Sequence, residues 1–233
     1  MPLASYLAMD KIVSKLIFLN TNIPTADFLV YWHKPGQSLD NLESLGALRQ
    51  RIQYPTVVKH YFSGSSLGVS VVREEPQLLE ALKKALSLQN KIILENYIEG
   101  RELTVGILED EPLSVVEIIP KKGYYDFTAK YSDGMTEFIV PAKLENTVYS
   151  KVQEIALRAH KALGCRHFSR VDIRLNKDNE IFVLEVNSIP GLTSHSLLPL
   201  SASACGINFD RLILTMTQLA LNGYKATKEV AKS

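Results

Sequence analysis

Residues 170–187 read RVDIRLNKDNEIFVLEVN, two apolar-rich runs around a polar turn. Side chains alternate along a strand, and Asp178-Asn179 tolerate the left-handed backbone that a two-residue hairpin turn requires. A hairpin closed by that turn sets Asp172 opposite Glu185 and Arg170 opposite Asn187, all on one face. Val171, Ile173, Leu175, Phe182, Leu184 and Val186 make the other face. A one-residue slip would bury the charges, so the register is well specified. Two facing carboxylates repel each other. Oxygen ligands from Asp172, Glu185 and Asn187 suit a hard divalent cation, magnesium by default where phosphate completes the shell. The plainer alternative is a solvated ribbon face on which Arg170 and Arg174 neutralise the acids.

Working outward, three further stretches bear on that face. Lys59 ends an apolar run at 55–59 that leads into SGSSLG, residues 63–68. Small residues let backbone amides approach phosphate oxygens, and a lysine adds a point charge. Neither common glycine-rich phosphate signature is present, and such a stretch alone is more often a hairpin turn. In IILENYIEGRELTV, residues 92–105, Glu95 ends one strand and Glu102 opens the next. A connection between two lobes can hold a nucleotide base by its backbone and a ribose by a carboxylate; the alternative is an acidic surface turn. The long stretch 120–138 contains Lys130 and Tyr131 and could serve as a lid that closes on phosphates; the alternative is a disordered loop, against which its tyrosines count.

Elsewhere the pattern predicts a helix capped by Ser5 and running to about Leu19, a strand at 27–32 and a helix at 41–52 with one interior glycine. A return strand follows the glycine loop, then an amphipathic helix at 75–86 and strands at 91–96, 101–109 and 113–119. A helix at 146–163 is stopped by Gly164, strands span 167–175 and 180–187, and the last helix covers about 208–222. Hairpins are too frequent for a doubly wound parallel sheet, so the expected architecture is α+β with antiparallel sheets and a cleft. The 233 residues are 46% hydrophobic and 22% charged, with a formal net charge of +1. That balance indicates neither a nucleic-acid partner nor a membrane surface. No apolar run approaches the ~20 residues of a spanning helix. Two cysteines without metal-like spacing read as free thiols, and a cytoplasmic location is expected.

SYLAMDKIVSK, the lysine followed by GSSLGVS, ENYIEGRELTV, GYYDFTAKYSDGMT, RVD and LEVNSIPGLTSHSLLP stand in the order found in D-alanine–D-alanine ligases. The chain resembles that family, a branch of the ATP-grasp carboxylate–amine ligases, over roughly residues 4–222. The resemblance implies an ATP-grasp fold whose two lobes clamp ATP: a small lobe at 1–98, a catalytic and metal-binding lobe at 99–225 and a flexible tail at 226–233. It implies ATP-dependent joining of two D-alanines through an acyl phosphate, for peptidoglycan precursors. Lys11 and Lys59 would contact nucleotide phosphates. Glu95, Tyr97 and Ile98 would frame the adenine, and Glu102 the ribose. Lys130 would close over the γ-phosphate. Asp172, Glu185 and Asn187 would hold two magnesium ions, with manganese as a substitute. Arg170 and the Gly191 N–H would stabilise the tetrahedral oxyanion, and Ser196 with the Leu197 N–H would bind the second substrate's carboxylate. Ser65 and Tyr131 would belong to a hydrogen-bonded triad that fixes the lid.

Two departures stand out. His60 follows Lys59 where the family usually has proline, which should alter local stiffness more than chemistry. The family also places a domain ahead of the SYLAMDK motif, and that domain supplies a glutamate for the first D-alanine. The first-substrate site is therefore expected to be incomplete here, to be completed by an N-terminal domain in trans or by a homo-oligomer. The alternatives are a ligase joining D-alanine to D-lactate or D-serine, and a non-catalytic ATP-binding module or subunit. Tyr131 accords with an amine acceptor in the resemblance.

Overall fold

The structure is a computed structural model. It describes residues 2–34, 36, 38–40, 42–62, 64, 68–121 and 136–230. Ser65, Lys130 and Tyr131 of the expected site lie outside the described residues.

The first expected helix is two helices, α1 (Pro2–Met9) and α2 (Lys11–Asn20). The break is Asp10, whose backbone is extended and whose carboxylate accepts from the Ile12 and Val13 N–H groups at 3.0 Å each. Asp10, not Ser5, is the cap, and it satisfies amides that the first turn of a helix leaves orphaned. Ser5 lies inside α1.

A small antiparallel sheet follows, with β1 (Phe28–Trp32), β2 (Thr56–His60), β3 (Ser70–Val72) and β4 (Lys91–Asn96) in the order β1-β4-β2-β3. The continuous helix expected at 41–52 does not form. A 3-10 segment, Leu42–Arg51, kinks at Gly46, where φ is 53° and ψ is −132°. Helix α3 (Leu78–Leu86) lays Leu78, Ala81, Leu82 and Ala85 on Val58, Ile92 and Leu94. Leu78 and Leu82 are fully buried, and each such leucine contributes about 1.5–3 kcal/mol. Because side chains alternate, Val57 and Lys59 of β2 and Ile93 and Glu95 of β4 share the opposite face.

The larger antiparallel sheet contains β5 (Arg101–Leu108), β6 (Glu111–Pro120), β7 (Thr136–Ile139), β8 (Phe168–Leu175) and β9 (Ile181–Asn187), ordered β7-β6-β5-β8-β9. Strand β7 was not expected. It pairs Thr136 with Pro120, so both ends of the long stretch are anchored in one hairpin. Helix α4 (Asn146–Ala162) covers one face through Val152, Ile155, Ala156 and Ala159, and Gly164, at φ +67°, ends it as expected. Helix α5 (Leu197–Ser203) packs so closely on β5 that a Cβ at Gly106 would sit 2.7 Å from Leu198 Cδ1. Helix α6 runs on from Phe209 to Val230, beyond the expected end near 222.

Ala4, Ala8 and Phe18 from α1 and α2 are buried in the core of the larger sheet, with Leu103, Val171 and Ile173. The small lobe expected over 1–98 thus begins, in packing terms, at β1. The connector from α2 to β1 also covers the edge of β9: Val183 N–H donates to Pro24 O, and Thr25 Oγ1 donates to Val183 O, each at 2.8 Å.

Candidate active site

The hairpin of β8 and β9 pairs Arg170 with Asn187, Val171 with Val186 and Asp172 with Glu185, as the sequence predicts. The route to that register is different. Asn179 alone of the turn pair has positive φ, and Asn176 N–H donates to Glu180 O, so the turn spans 177–179 rather than two residues. That shift would misalign the site by one residue. A bulge between Asp172 and Ile173 cancels it, pairing Ile173 with Val183 rather than with Leu184. The apolar face is corrected accordingly: Ile181, Val183 and Val186 are buried, while Phe182 and Leu184 are only half-buried.

Asp172 is nearly buried and densely bonded. Arg170 donates Nε to Oδ1 and Nη2 to Oδ2, both at 2.9 Å. Thr104 Oγ1 donates to Oδ1 at 2.6 Å, and Asn187 Nδ2 to Oδ2 at 3.0 Å. Lys11 Nζ lies 3.5 Å from Glu185 Oε2. Protein cations thus offset both members of the facing acidic pair. Arg170 plays the neutralising part that the plainer reading gave it; Arg174 instead meets Glu102 at 3.0 Å. The donor set still fits a hard cation: two carboxylates and an amide, whose oxygen a half-turn would present, project from one sheet face. An ion held there would compete with Arg170 for Asp172.

Across the cleft, Lys59 Nζ lies 2.8 Å from Glu95 Oε1, and Lys15 Nζ lies 3.4 Å from Glu95 Oε2. Lys15 is fully buried; it donates to Thr25 Oγ1 at 2.7 Å and to Ala26 O at 3.2 Å. Burial pulls the Lys15 ammonium down to about 8, against the raising pull of Glu95. Burial also lowers Lys11, with Glu185 opposing it. Burial pushes the Glu95 carboxyl upward, but Lys15 and Lys59 outweigh it, and its pKa ends below the usual range. The Glu95 carboxylate is thus engaged with lysines.

Lys15 was missed by the sequence reading. The signal was present: Lys11 and Lys15 are four apart on one helix and therefore point the same way.

Tyr97 and Ile98 lie half-buried in the connector after β4. The Tyr97 ring is flanked by Arg73 at 5.9 Å and Arg174 at 5.7 Å, one from each lobe. Ser196 precedes α5 and gathers the loop before it: its Oγ accepts from Thr193 N–H at 3.0 Å. Leu197, the first residue of α5, is buried. Gly191 is exposed, and a Cβ there would sit 2.9 Å from Ser196 Oγ, so the Gly191 backbone and Ser196 are neighbours. His60 is buried with neither ring nitrogen hydrogen-bonded, and Gly68, at φ +69°, packs on its ring. Among the described residues, no helix is long and apolar enough to cross a membrane.

Comparison with known proteins agrees with this layout. Residues 17–218 match the family model described as D-ala D-ala ligase C-terminus. The D-alanine–D-alanine ligase of Pelobacter propionicus is 43% identical over 212 residues, covering 91% of this chain and 66% of that protein. The crystal structure of D-alanine–D-alanine ligase from Bacillus anthracis superposes with TM-score 0.80 at 33% identity, covering 97% of this chain and 71% of that one. The same enzyme complexed with ATP gives 0.77 at 30% identity, covering 97% and 70%. The chain spans about two thirds of the length of the curated relatives it matches. The two lobes of antiparallel sheet are the ATP-grasp fold that the sequence led us to expect. A match over most of the chain, with the lysines and the acidic hairpin set across one cleft, leaves one assignment: the chain belongs to the D-alanine–D-alanine ligase C-terminal family.

Proposed function

We propose that the chain forms the ATP-binding and catalytic part of a ligase that joins two D-alanines for peptidoglycan precursors. The observation that carries this reading is the 3.5 Å approach of Lys11 to Glu185. It sets an ammonium and a carboxylate side by side at one point of the cleft. A polyphosphate with its metal ion needs both kinds of group within a few ångströms.

In this reading Lys11 and Lys59 hold the phosphates of ATP, and the connector at Tyr97–Ile98 lines the base. Glu102 turns from Arg174 to the ribose. Asp172, Glu185 and Asn187 hold magnesium, with manganese able to replace it; the ion supplies charge neutralisation of the transferring phosphoryl group. A carboxylate oxygen of the first D-alanine attacks the γ-phosphorus, ADP leaves, and an acyl phosphate forms. The amine of the second D-alanine attacks the acyl carbon, its proton is lost, and inorganic phosphate leaves. Negative charge gathers on the former carbonyl oxygen, where Arg170 and the Gly191 N–H stabilise it. Ser196 and the Leu197 N–H orient the second carboxylate. Ser65, Lys130 and Tyr131 act in closing the site. The anchor for the first D-alanine's ammonium comes from the third of the relatives' length that this chain does not match, joined to it or supplied in trans.

The test is D-alanine-dependent release of ADP and phosphate with detection of the dipeptide, run with the chain alone and with the remaining domain of a relative added. D-Lactate and D-serine serve as competing acceptors. Dipeptide formed in proportion to ADP supports the reading; failure to bind Mg-ATP refutes it.

A further inference from the structure

Lys15 has no part in that mechanism, yet it is the most completely enclosed cation of the cluster. Its ammonium meets three oxygens: Thr25 Oγ1 at 2.7 Å, Ala26 O at 3.2 Å and Glu95 Oε2 at 3.4 Å. Its side chain is 1% exposed and that of Glu95 3%. The Phe28 ring lies on another side, 5.6 Å from Nζ. A lysine enclosed in this way is costly unless its charge is paired, and here the pair is Glu95.

The charge count indicates the use. Glu95 carries one negative charge and bridges two ammoniums, one to each oxygen. With both lysines charged, the group keeps one net positive charge. Without the Lys15 charge, Glu95 and Lys59 cancel, and an approaching phosphate meets a neutral pair. We propose that Lys15 is a positioning residue for the nucleotide: by satisfying Glu95 it leaves the charge of Lys59 to a bound phosphate. This rests on the reading of Lys59 as a phosphate contact.

The geometry assigns the two lysines different places. Lys15 is held from α2 and the connector, on the side of the larger sheet. Lys59 reaches Glu95 from β2 and is a little more open, at 10% exposure. Of the two, Lys59 is the one a phosphate can reach.

Loss of the Lys15 proton should have the same effect as loss of the side chain. Burial puts that proton near pH 8, with Glu95 from β4 and Asp27 from the connector retaining it and Lys59 from β2 expelling it. Nucleotide affinity should therefore fall as pH rises from 7 to 9.

The experiment is calorimetric titration with magnesium and the non-hydrolysable analogue AMP-PNP. Lys59→Met comes first: affinity equal to that of the parent protein overturns the phosphate reading, and this proposal with it. If Lys59→Met binds more weakly, Lys15→Met should weaken binding about tenfold. Lys15→Met with Glu95→Gln removes both charges, returns the site to one net positive charge and should recover affinity to within about threefold of the parent. A merely structural role predicts that the double variant is as weak as the single one or weaker, and that result overturns the proposal while sparing the phosphate reading. The pH arm needs no single variant to fold. The decline between pH 7 and 9 should appear in the parent and flatten in the double variant, which retains Lys11 and Lys59. A decline of equal size in both overturns the proposal.

Discussion

Arg170 grips Asp172 by both carboxylate oxygens, with two parallel bonds of 2.9 Å. Such a fork is among the stronger charge-assisted contacts. A divalent ion must displace at least one of its bonds. Changing Arg170 to Met should therefore raise the affinity of the nucleotide-free protein for manganese, by ~10-fold or about 1.4 kcal/mol. With the remaining domain of a relative added, dipeptide synthesis should collapse in the same variant, as the proposed oxyanion role of Arg170 requires. Manganese titration followed by electron paramagnetic resonance, beside turnover, checks both. Unchanged manganese affinity would show that Asp172 is not a ligand.

Glu185 faces the same region with Lys11 as its cation. Glu185→Gln keeps the shape and removes the charge. Affinity for Mg-ATP should drop about tenfold; the protein should still fold, because the apolar face of β9 is untouched, but it should melt at a lower temperature, since the largely buried Lys11 ammonium loses that carboxylate. Calorimetry and thermal unfolding on the same samples separate the two effects.

Gly68 sits at φ +69°, where an L side chain is strained, and a Cβ there would lie 2.2 Å from His60 Nε2. Gly68→Ala should destabilise the protein by about 1–2 kcal/mol from the backbone alone, with the ring contact in addition. Combining it with His60→Ala should remove the ring contact and leave the backbone cost. Urea unfolding of both single variants and the double gives the coupling between the positions.

His160 is buried between α4 and β8; its Nδ1 pairs with Ser169 Oγ at 2.7 Å, and its Nε2 lies 3.3 Å from Asp110. Burial lowers its pKa despite the opposing pull of Asp110, with Lys161 and His167 lowering it further. The unfolded chain therefore takes up this proton first. The stability contributed by neutral His160 is complete above pH 6.5 and is lost as pH falls below that value, until the folded protein also protonates. The slope is at most about 1.4 kcal/mol per pH unit. His160→Gln should flatten stability against pH between 6.5 and 5. An unaltered slope would mean that other groups set it.

Much of this was legible in the sequence because it depends on local rules. Alternation along β8 and β9 was enough to put Asp172 and Glu185 on one face. The turn chemistry of Asn176–Glu180 was misread, and the pairing held because the bulge near Leu184 took up the same single residue. Phe182 and Leu184 were misplaced for the same reason: they lie on the turn side of the bulge or within it. The start of the chain was harder. Asp10 breaks a helix whose apolar periodicity runs on, and a side chain that accepts from Ile12 and Val13 leaves no trace in that period. Lys15 was passed over because composition counts it as a surface charge. Its spacing from Lys11 hints at a shared direction, and the tertiary fold, which brings Glu95 and Thr25 to it, shows its burial.

The Thr25 hydroxyl accepts from Lys15 and donates to Val183, so one atom joins α2, the connector and β9. It behaves as a fulcrum. In any rotation of the small lobe about that point, displacement grows with distance. Strand β1 follows the connector directly, whereas β3 is at the opposite edge of the sheet. Gly68, which leads into β3, would sweep a longer arc than β1. Lys15 and its bond to Thr25, at the pivot, would hardly move. A rotation of that kind would widen the cleft at its rim and leave the contacts of Lys15 with Thr25 and Glu95 at its root in place.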